Sequence, residues 1–399
     1  MKILQINSFG ALSTGKIAVD IYKGIVKSGY EGVIAFARGT IEKGVPYIKI
    51  GNGFDIACHG ILSRITDKTG FYSYHATKKF IERVDEIEPD IIHLHNIHGY
   101  YINIEMLFEY IKEKGIKVVW TLHDCWAFTG HCTYFDLCNC NKWKTGCYKC
   151  KQIGKYPASM VMDNSLHNWK KKRELFTGLN ATIVTPSKWL EDMVKQSFLN
   201  EYPVRTIYNG INTSVFKRAE RGVFRKKYDL ENTYIILGVA STWDERKGLK
   251  DFIALNELLK NDSRKIKIVL VGLDDRQLKV IPPEILGIKR TSTATELAEI
   301  YSAADVFFNP TYEDNYPTTN IEAIACGTPV VTYNTGGSPE GALKGNGTVI
   351  DRGDYAYIYE NIGKFNDVVC DINDIDMHTF AERYIELYRS MLEKSEQRQ

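Results

Sequence analysis

The 399-residue sequence contains no run of about 18 uncharged apolar residues, so no helix is expected to span a membrane. Its start, MKILQINSFG, lacks a secretory apolar region and reads as a first β-strand, so a cytosolic protein is expected. It also lacks a charge excess: 51 basic residues stand against 49 acidic ones. That balance excludes a globally basic nucleic-acid binder. With 44% apolar residues the chain is not disordered either. No repeat with a period of 20–50 residues is visible, which argues against a solenoid.

What is present is unevenly spread. Six of the nine cysteines fall between Cys125 and Cys150. From Cys140 to Leu175 nine basic residues face two acidic ones, a local +7 within a chain of net +2. Short apolar runs alternate with amphipathic stretches. In the first half the runs are Lys2–Ile6, Gly32–Ala37, Asp90–Leu94, Lys117–Leu122 and Ala181–Val184. They are interleaved with helical patterns at Ile17–Lys27, His75–Ile87 and Ile104–Lys114. The pattern restarts with strands at Tyr234–Val239, Ile266–Val271, Val306–Asn309 and Pro329–Tyr333. Helices are expected there at Leu249–Leu259, Ala294–Ala303, Thr318–Ala325 and Met377–Leu392. The expected class is α/β, with two doubly wound Rossmann-like domains facing across a cleft.

Four constellations stand out. The loop Gly10-Ala-Leu-Ser-Thr-Gly15-Lys16-Ile17 nearly spells a P-loop, but Ile17 offers no hydroxyl for Mg²⁺. It reads either as an anion-binding loop before a helix or as a plain turn whose glycines supply positive φ. The strand ends Thr121-Leu122-His123-Asp124 and Asn96-Ile97-His98 put hydrogen-bonding groups where ligands bind an open α/β sheet. The series Cys132, Cys138, Cys140, Cys147, Cys150 contains one C-x2-C pair. Cys132, Cys140, Cys147 and Cys150 form the best set for a structural zinc, with Cys138 competing for the place of Cys140. Reduced thiols or a redox pair are the other readings. The last constellation runs from Asn309 to Val331. An acidic loop with Glu313 and Asp314 leads through Asn315 and Tyr316 to a helix starting near Pro317, expected at the first helical position. Thr318 and Thr319 fall in its first turn, and Glu322 one turn further in, where they suit a diphosphate and a ribose.

Asp314-x7-Glu322, with Cys326-Gly327-Thr328-Pro329-Val330-Val331 after it, resembles the signature of the retaining glycosyltransferases of family 4, which have the GT-B fold. Gly15, His123, Tyr208-Asn209-Gly210-Ile211-Asn212, Lys247-Gly248 and Gly336-Gly337-Ser338-Pro339-Glu340 resemble further motifs of that family. The stretch from His123 to Cys147 resembles a subgroup that makes bacterial surface polysaccharides. The resemblance implies an acceptor-side domain over residues 1–207, carrying the cysteine-rich insert 125–150 and completed by a helix over 376–399. It implies a donor domain over 208–375.

It further implies that Glu322 holds the donor ribose, that Asp314 or Glu313 contacts the sugar, and that Asn315, Tyr316, Thr318 and Thr319 line sugar and diphosphate. Lys247, with Arg246 as second cation, would neutralise the leaving group without a catalytic metal. His123 would stand by the reacting carbon, and Asn96, His98 and Asp124 would serve the acceptor. The implied reaction moves a sugar, with retention, from a UDP- or GDP-linked donor to a glycan or polyprenyl-diphosphate-linked acceptor in capsule, exopolysaccharide or O-antigen synthesis. No cofactor beyond a structural zinc is expected, and no nucleic-acid partner. A nucleotide-sugar epimerase of the same architecture and a zinc-stabilised binding module are the competing readings. The basic run suggests an anionic membrane surface on the inner face of the cell membrane as a further partner, with Trp143 and Trp169 at the interface.

Overall fold

The computed structural model describes residues 1–11, 14–365 and 368–396, with side chains up to 393. Leu12 and Ser13 of the glycine-rich loop, and the last three residues of the segment 376–399, lie outside the described residues. The chain divides into two compact units, Met1–Tyr208 with Phe380–Gln399, and Asn209–Thr379.

The first unit carries seven strands: β1 (Lys2–Phe9), β2 (Glu31–Arg38), β3 (Tyr47–Lys49), β4 (Ile91–Leu94), β5 (Lys117–Thr121), β6 (Ala181–Thr185) and β7 (Val204–Thr206). They lie in the order β3-β2-β1-β4-β5-β6-β7, and every ladder is parallel. The second unit carries β8 (Tyr234–Val239), β9 (Ile266–Val271), β10 (Leu286–Ile288), β11 (Val306–Asn309), β12 (Val330–Tyr333) and β13 (Thr348–Ile350). Their order is β10-β9-β8-β11-β12-β13, again all parallel. Each sheet reverses direction beside its first strand, where open α/β sheets bind ligands.

The central strands read as unbroken apolar runs because both faces are covered. Ile92, Leu94, Val118 and Trp120 join one core with Phe108 and Phe176. Ile91 and Val119, one residue out of phase, join Phe380, Tyr384 and Tyr388 of the last helix, Met377–Glu396. The chain leaves the first unit after Tyr208 and returns to it at Phe380. Within the second unit these two passages are zipped side by side: Ile211 N–H donates to Ile375 O (2.9 Å) and Met377 N–H to Ile211 O (2.8 Å).

Several expectations are corrected. Trp143 and Trp169 are buried, so neither stands at an interface. Trp143 stacks on Phe135 at 5.1 Å, and Trp169 Nε1 donates to Trp143 O (2.8 Å). Nor is all of the basic run exposed to a membrane surface. Lys172 is buried over the Trp126 ring, and its ammonium donates to the carbonyls of Trp126 (2.8 Å) and Thr129 (3.1 Å). Burial pushes its pKa down to about 7. Gly10 and Gly15 do not adopt positive φ. A Cβ on Gly10 would stand 2.5 Å from Thr40 O, and one on Gly15 2.6 Å from Phe9 O, so close backbone approach demands them. Pro317 is the residue before the helix Thr318–Ala325, with extended ψ of 115°, not its first helical residue. Among the described residues no helix is long and apolar enough to cross a membrane.

Candidate active site

In the second unit the acidic loop sits between the ends of β11 and the helix Thr318–Ala325. A buried polar lattice fixes that helix. Asn309 Nδ2 donates to Asn320 Oδ1 (2.8 Å), and Asn320 Nδ2 to Ser338 O (2.9 Å). Thr332 Oγ1 donates to Asn309 O (2.9 Å). Two glycines draw neighbouring loops onto the site. Gly248 has φ +71°, and a Cβ there would stand 2.3 Å from Pro310 O. Gly336 has φ +54°, and its Cβ would stand 1.9 Å from Asp314 O. Lys247 and Asp314 are thereby brought together, and they form a short, partly buried ion pair.

Glu313, Asn315 and Tyr316 share the loop of Asp314, and Thr318, Thr319 and Glu322 lie on the helix that follows it. Glu313 is buried at 2% exposure, whereas the Asp314 side chain is 14% exposed, so of the two Asp314 is the more open to a ligand. Asn315 and Tyr316 are buried, and Thr318 and Thr319 are half-buried in the first helical turn. Glu322 accepts a hydrogen bond from Tyr301 OH (3.1 Å) one turn further on. Arg246 pairs with Asp244 at 3.1 Å. Gly15 is placed in the first unit, at the start of the helix Thr14–Lys27.

In the first unit the ends of β4 and β5 carry a chain of imidazoles. Gln5 Nε2 donates to Ala18 O (2.9 Å), so Gln5 Oε1 is the atom 3.0 Å from His95 Nε2. An amide oxygen only accepts, hence His95 Nε2 holds the proton. Burial keeps the His95 pKa well below the usual imidazole value, so the ring is neutral and its Nδ1 accepts. His123 Nε2, 3.1 Å from that atom, must therefore donate, and Nδ1 of His123 is the acceptor in the neutral ring. Burial pushes the His123 pKa down to about 4. His93 beside them bridges Thr121 Oγ1 (2.8 Å) and Tyr388 OH (2.7 Å).

His98 pairs with Asp124 at 2.9 Å and with Tyr156 OH at 3.2 Å. Burial raises the Asp124 carboxyl, but the charge and hydrogen bond of His98 and the Trp126 N–H outweigh it and hold the pKa below its ordinary value. Asn96 is anchored by its backbone: its N–H reaches Asn7 Oδ1 (3.3 Å) and its carbonyl accepts from Tyr101 OH (2.9 Å). Sequence reading missed Gln5, Tyr301 and the ordering role of His95. A lone glutamine inside the apolar run Lys2–Ile6 was the only signal for the first.

Cys132, Cys138, Cys140, Cys147 and Cys150 line one cavity of about 140 Å³. Cys132 and Cys150 share a hydrogen bond, which draws the Cys150 pKa down to about 7. Gly130 N–H donates to Cys147 Sγ (3.2 Å), and Cys138 Sγ donates to Phe135 O (3.3 Å). Among the described residues no group of three or more His, Cys, Asp or Glu side chains is arranged to hold a metal ion. As its side chains stand, the cysteine set does not form a zinc cage.

Residues 233–365 match the family model described as "Glycosyl transferases group 1", and residues 16–215 match "Glycosyltransferase Family 4". The putative colanic acid biosynthesis glycosyl transferase WcaC of Escherichia coli is 24% identical over 73% of this chain and 71% of its own length. Sucrose-phosphate synthase from Thermosynechococcus elongatus superposes with a TM-score of 0.71 at 15% identity, covering 99% of this chain and all of that one. Anabaena HepE, solved in complex with UDP-glucose, superposes with a TM-score of 0.65 at 14% identity, covering 98% of this chain and all of that one. The fold is GT-B. With two family models matching along its length, one of them over half the chain, the protein is a glycosyltransferase and belongs to glycosyltransferase family 4.

Proposed function

We propose that the protein transfers a hexose, with retention of configuration, from a UDP-linked sugar to a glycan or polyprenyl-diphosphate-linked acceptor in the synthesis of a bacterial surface polysaccharide. The observation that carries this reading is the Lys247–Asp314 pair at the N-terminus of the helix Thr318–Ala325, one turn before Glu322. That arrangement sets a cation, unpaired helical N–H groups and a ribose-accepting carboxylate on one side of the second unit. The WcaC likeness supports the polysaccharide, and the UDP-glucose bound to HepE supports the donor.

In this reading Lys247 exchanges Asp314 for the diphosphate as the donor binds, and Asp314 turns to the sugar hydroxyls. Thr318 and Thr319 take up phosphate oxygens through hydroxyl and backbone N–H groups. Glu322, oriented by Tyr301, accepts the ribose hydroxyls. Charge that develops on the leaving diphosphate is met by Lys247 and the helix N-terminus, the form of stabilisation worth most in a dry site. His123 accepts a hydrogen bond from the transferring sugar through Nδ1. No side chain is assigned as a covalent nucleophile, so the acceptor attacks from the face the diphosphate leaves.

The test is a thermal-shift panel of UDP, GDP, ADP and their hexoses, followed by Glu322→Ala. A UDP-hexose should raise the midpoint by mass action, and Glu322→Ala should abolish the shift while leaving the unliganded melt in place. Unchanged affinity in Glu322→Ala overturns the donor site. Conversion of the donor to free UDP and an altered sugar without any acceptor would make the protein an epimerase instead.

A further inference from the structure

All strands of the first sheet run the same way, so β2 ends at Arg38 on the edge where the chain also leaves β4 for residues 95–101. That is the edge at which open α/β sheets take ligands. The strand end is pinned through its backbone. Arg38 O accepts from Gly10 N–H (3.1 Å), and the Lys49 ammonium donates to Ala37 O (3.1 Å) and Gly39 O (2.8 Å). The Arg38 guanidinium lies between two rings, 5.8 Å from the centroid of Phe9 and 5.7 Å from that of Tyr100.

A second guanidinium reaches the same tyrosine from another element. The helix Gly53–Thr66 turns His59, Gly60 and Ser63 inward. Gly60 leaves room for Arg64, one turn on, to lie over Tyr100. A Cβ at Gly60 would stand 3.2 Å from Arg64 Nη1 and 3.8 Å from the Tyr100 ring. Arg64 is 5.6 Å from the ring centroid, and its Nη1 donates a long hydrogen bond to Gly60 O (3.3 Å). Among the described residues neither guanidinium pairs with a carboxylate.

Tyr100 is held between them in a costly conformation. Its φ is +66°, after Gly99 at +124°. A bulky side chain in the left-handed region is an outlier, and such strain persists where the surroundings impose it, as at ligand clamps. The ring is buried, and the charged groups that act on its phenol are Arg64 and Arg38. Tyr156, 6.1 Å away ring to ring, ties the cluster to His98 through its hydroxyl (3.2 Å). Asp124 acts on the Tyr156 phenol with one negative charge, and Arg38 and Arg64 act on it with two positive ones.

Two like charges gathered at one ring repel each other. An anion with oxygens for both forks turns that repulsion into charge-assisted hydrogen bonds. A phosphate ester has the oxygens and the charge for two guanidiniums, whereas a neutral sugar has no charge to offer them.

We infer that Arg38 and Arg64, set about Tyr100, form an acceptor subsite of the first unit that takes a phosphate ester. The inference rests on the glycosyl-transfer reading and narrows its acceptor to one that carries phosphate. A lipid-linked diphosphate and a sugar phosphate both supply that chemistry.

The experiment is calorimetric titration of the full chain, held in saturating UDP so that the donor site is filled. Dimethylallyl diphosphate is the ligand in one arm and glucose 1-phosphate in the other, with dimethylallyl alcohol and glucose as uncharged controls. At least one ester should bind, and its control should not. Arg38→Gln and Arg64→Gln should each weaken that binding about tenfold, as loss of a charged hydrogen-bond donor demands. Added salt should weaken it in the wild type. Both variants should keep the wild-type melt and UDP affinity. Arg64 is exposed, so Arg64→Gln carries the test even if Arg38→Gln fails to fold. Tighter binding of the isoprenyl ester assigns the subsite to a lipid-linked acceptor, and tighter binding of glucose 1-phosphate assigns it to a sugar phosphate. The inference is overturned if neither ester binds, if a control binds as well as its ester, or if the variants bind the ester as the wild type does. Failure of UDP itself to bind would refute the donor reading instead, and the same titrations without UDP would then decide the arginine subsite.

Discussion

The strand ends of the first unit carry imidazoles; those of the second carry an ammonium and carboxylates. Eight of the nine histidines lie in the first unit and only His378 in the second. Around β4 and β5, His93 and His95 are buried and neutral, and both ring nitrogens of His95 are held, one by Gln5 and one by His123. In the second unit Lys247 and Asp314 form a partly open ion pair. One strand order thus serves two electrostatic designs. At His95 and His123 the first unit holds hydrogen-bond direction fixed, and at Lys247 the second holds charge that a ligand can claim.

The contrast is broken most severely by Lys247→Ala, for which a loss of about 10²–10³ in kcat is expected. The melting midpoint should hardly move, because partly exposed ion pairs add little stability. A smaller loss than that of His123→Ala would reverse the ranking of the two units. Acid comes next. His123 has a pKa of about 4 in the fold and His59 about 3, against an unfolded value of 6.5. Above pH 6.5 both are neutral folded or unfolded. Between 6.5 and about 4 only the unfolded chain takes up the protons, so stability is lost as pH falls through that window. The melt of the first unit should drop. Five of the six tryptophans lie there, so tryptophan emission reports it. A midpoint flat from pH 7 to 4 would contradict neutral burial.

A finer probe is Gln5→Leu. It removes the acceptor that holds the proton on His95 Nε2, frees the proton to move to Nδ1, and so reverses the hydrogen bond to His123. About a tenfold fall in kcat is expected, with donor affinity unchanged and stability lower by about 1–3 kcal/mol for the stranded polar group. Equal losses in kcat and donor affinity would mean His123 is not being oriented this way. Arg246→Ala should do least, under about threefold, since its guanidinium pairs with Asp244 at the surface.

Much of this was legible in the sequence wherever one local rule decided the outcome. Tyr234–Val239, Ile266–Val271, Ile104–Lys114 and Thr318–Ala325 have the bounds their apolar patterns suggest. The helix Gly53–Thr66 was not found, because its buried side is polar and a periodicity argument looks for the reverse. Trp143 and Trp169 misled for a related reason: aromatic residues among lysines suit a membrane interface and a small aromatic core equally, and only packing separates the two. The link from Gln5 to His95 spans 90 residues, and that from His93 to Tyr388 spans 295. No local signal reports such distances. The closing of Lys247 on Asp314 likewise depends on close backbone approaches at Gly248, beside Lys247, and at Gly336, in another loop.

The last helix has a consequence for how the molecule comes into being. Tyr384 and Tyr388 hold Thr121 and His93 from a segment made after the whole of the second unit. The second unit is therefore, in topological terms, an insertion into the first. The first sheet, though translated first, lacks part of its cover until the whole second unit has left the ribosome. Completing it requires a contact across most of the chain, which is slow to form and leaves an apolar face of Ile3, Ile91 and Val119 open in the meantime. The order of translation and the order of completion are opposite in this protein: the unit begun first is finished last.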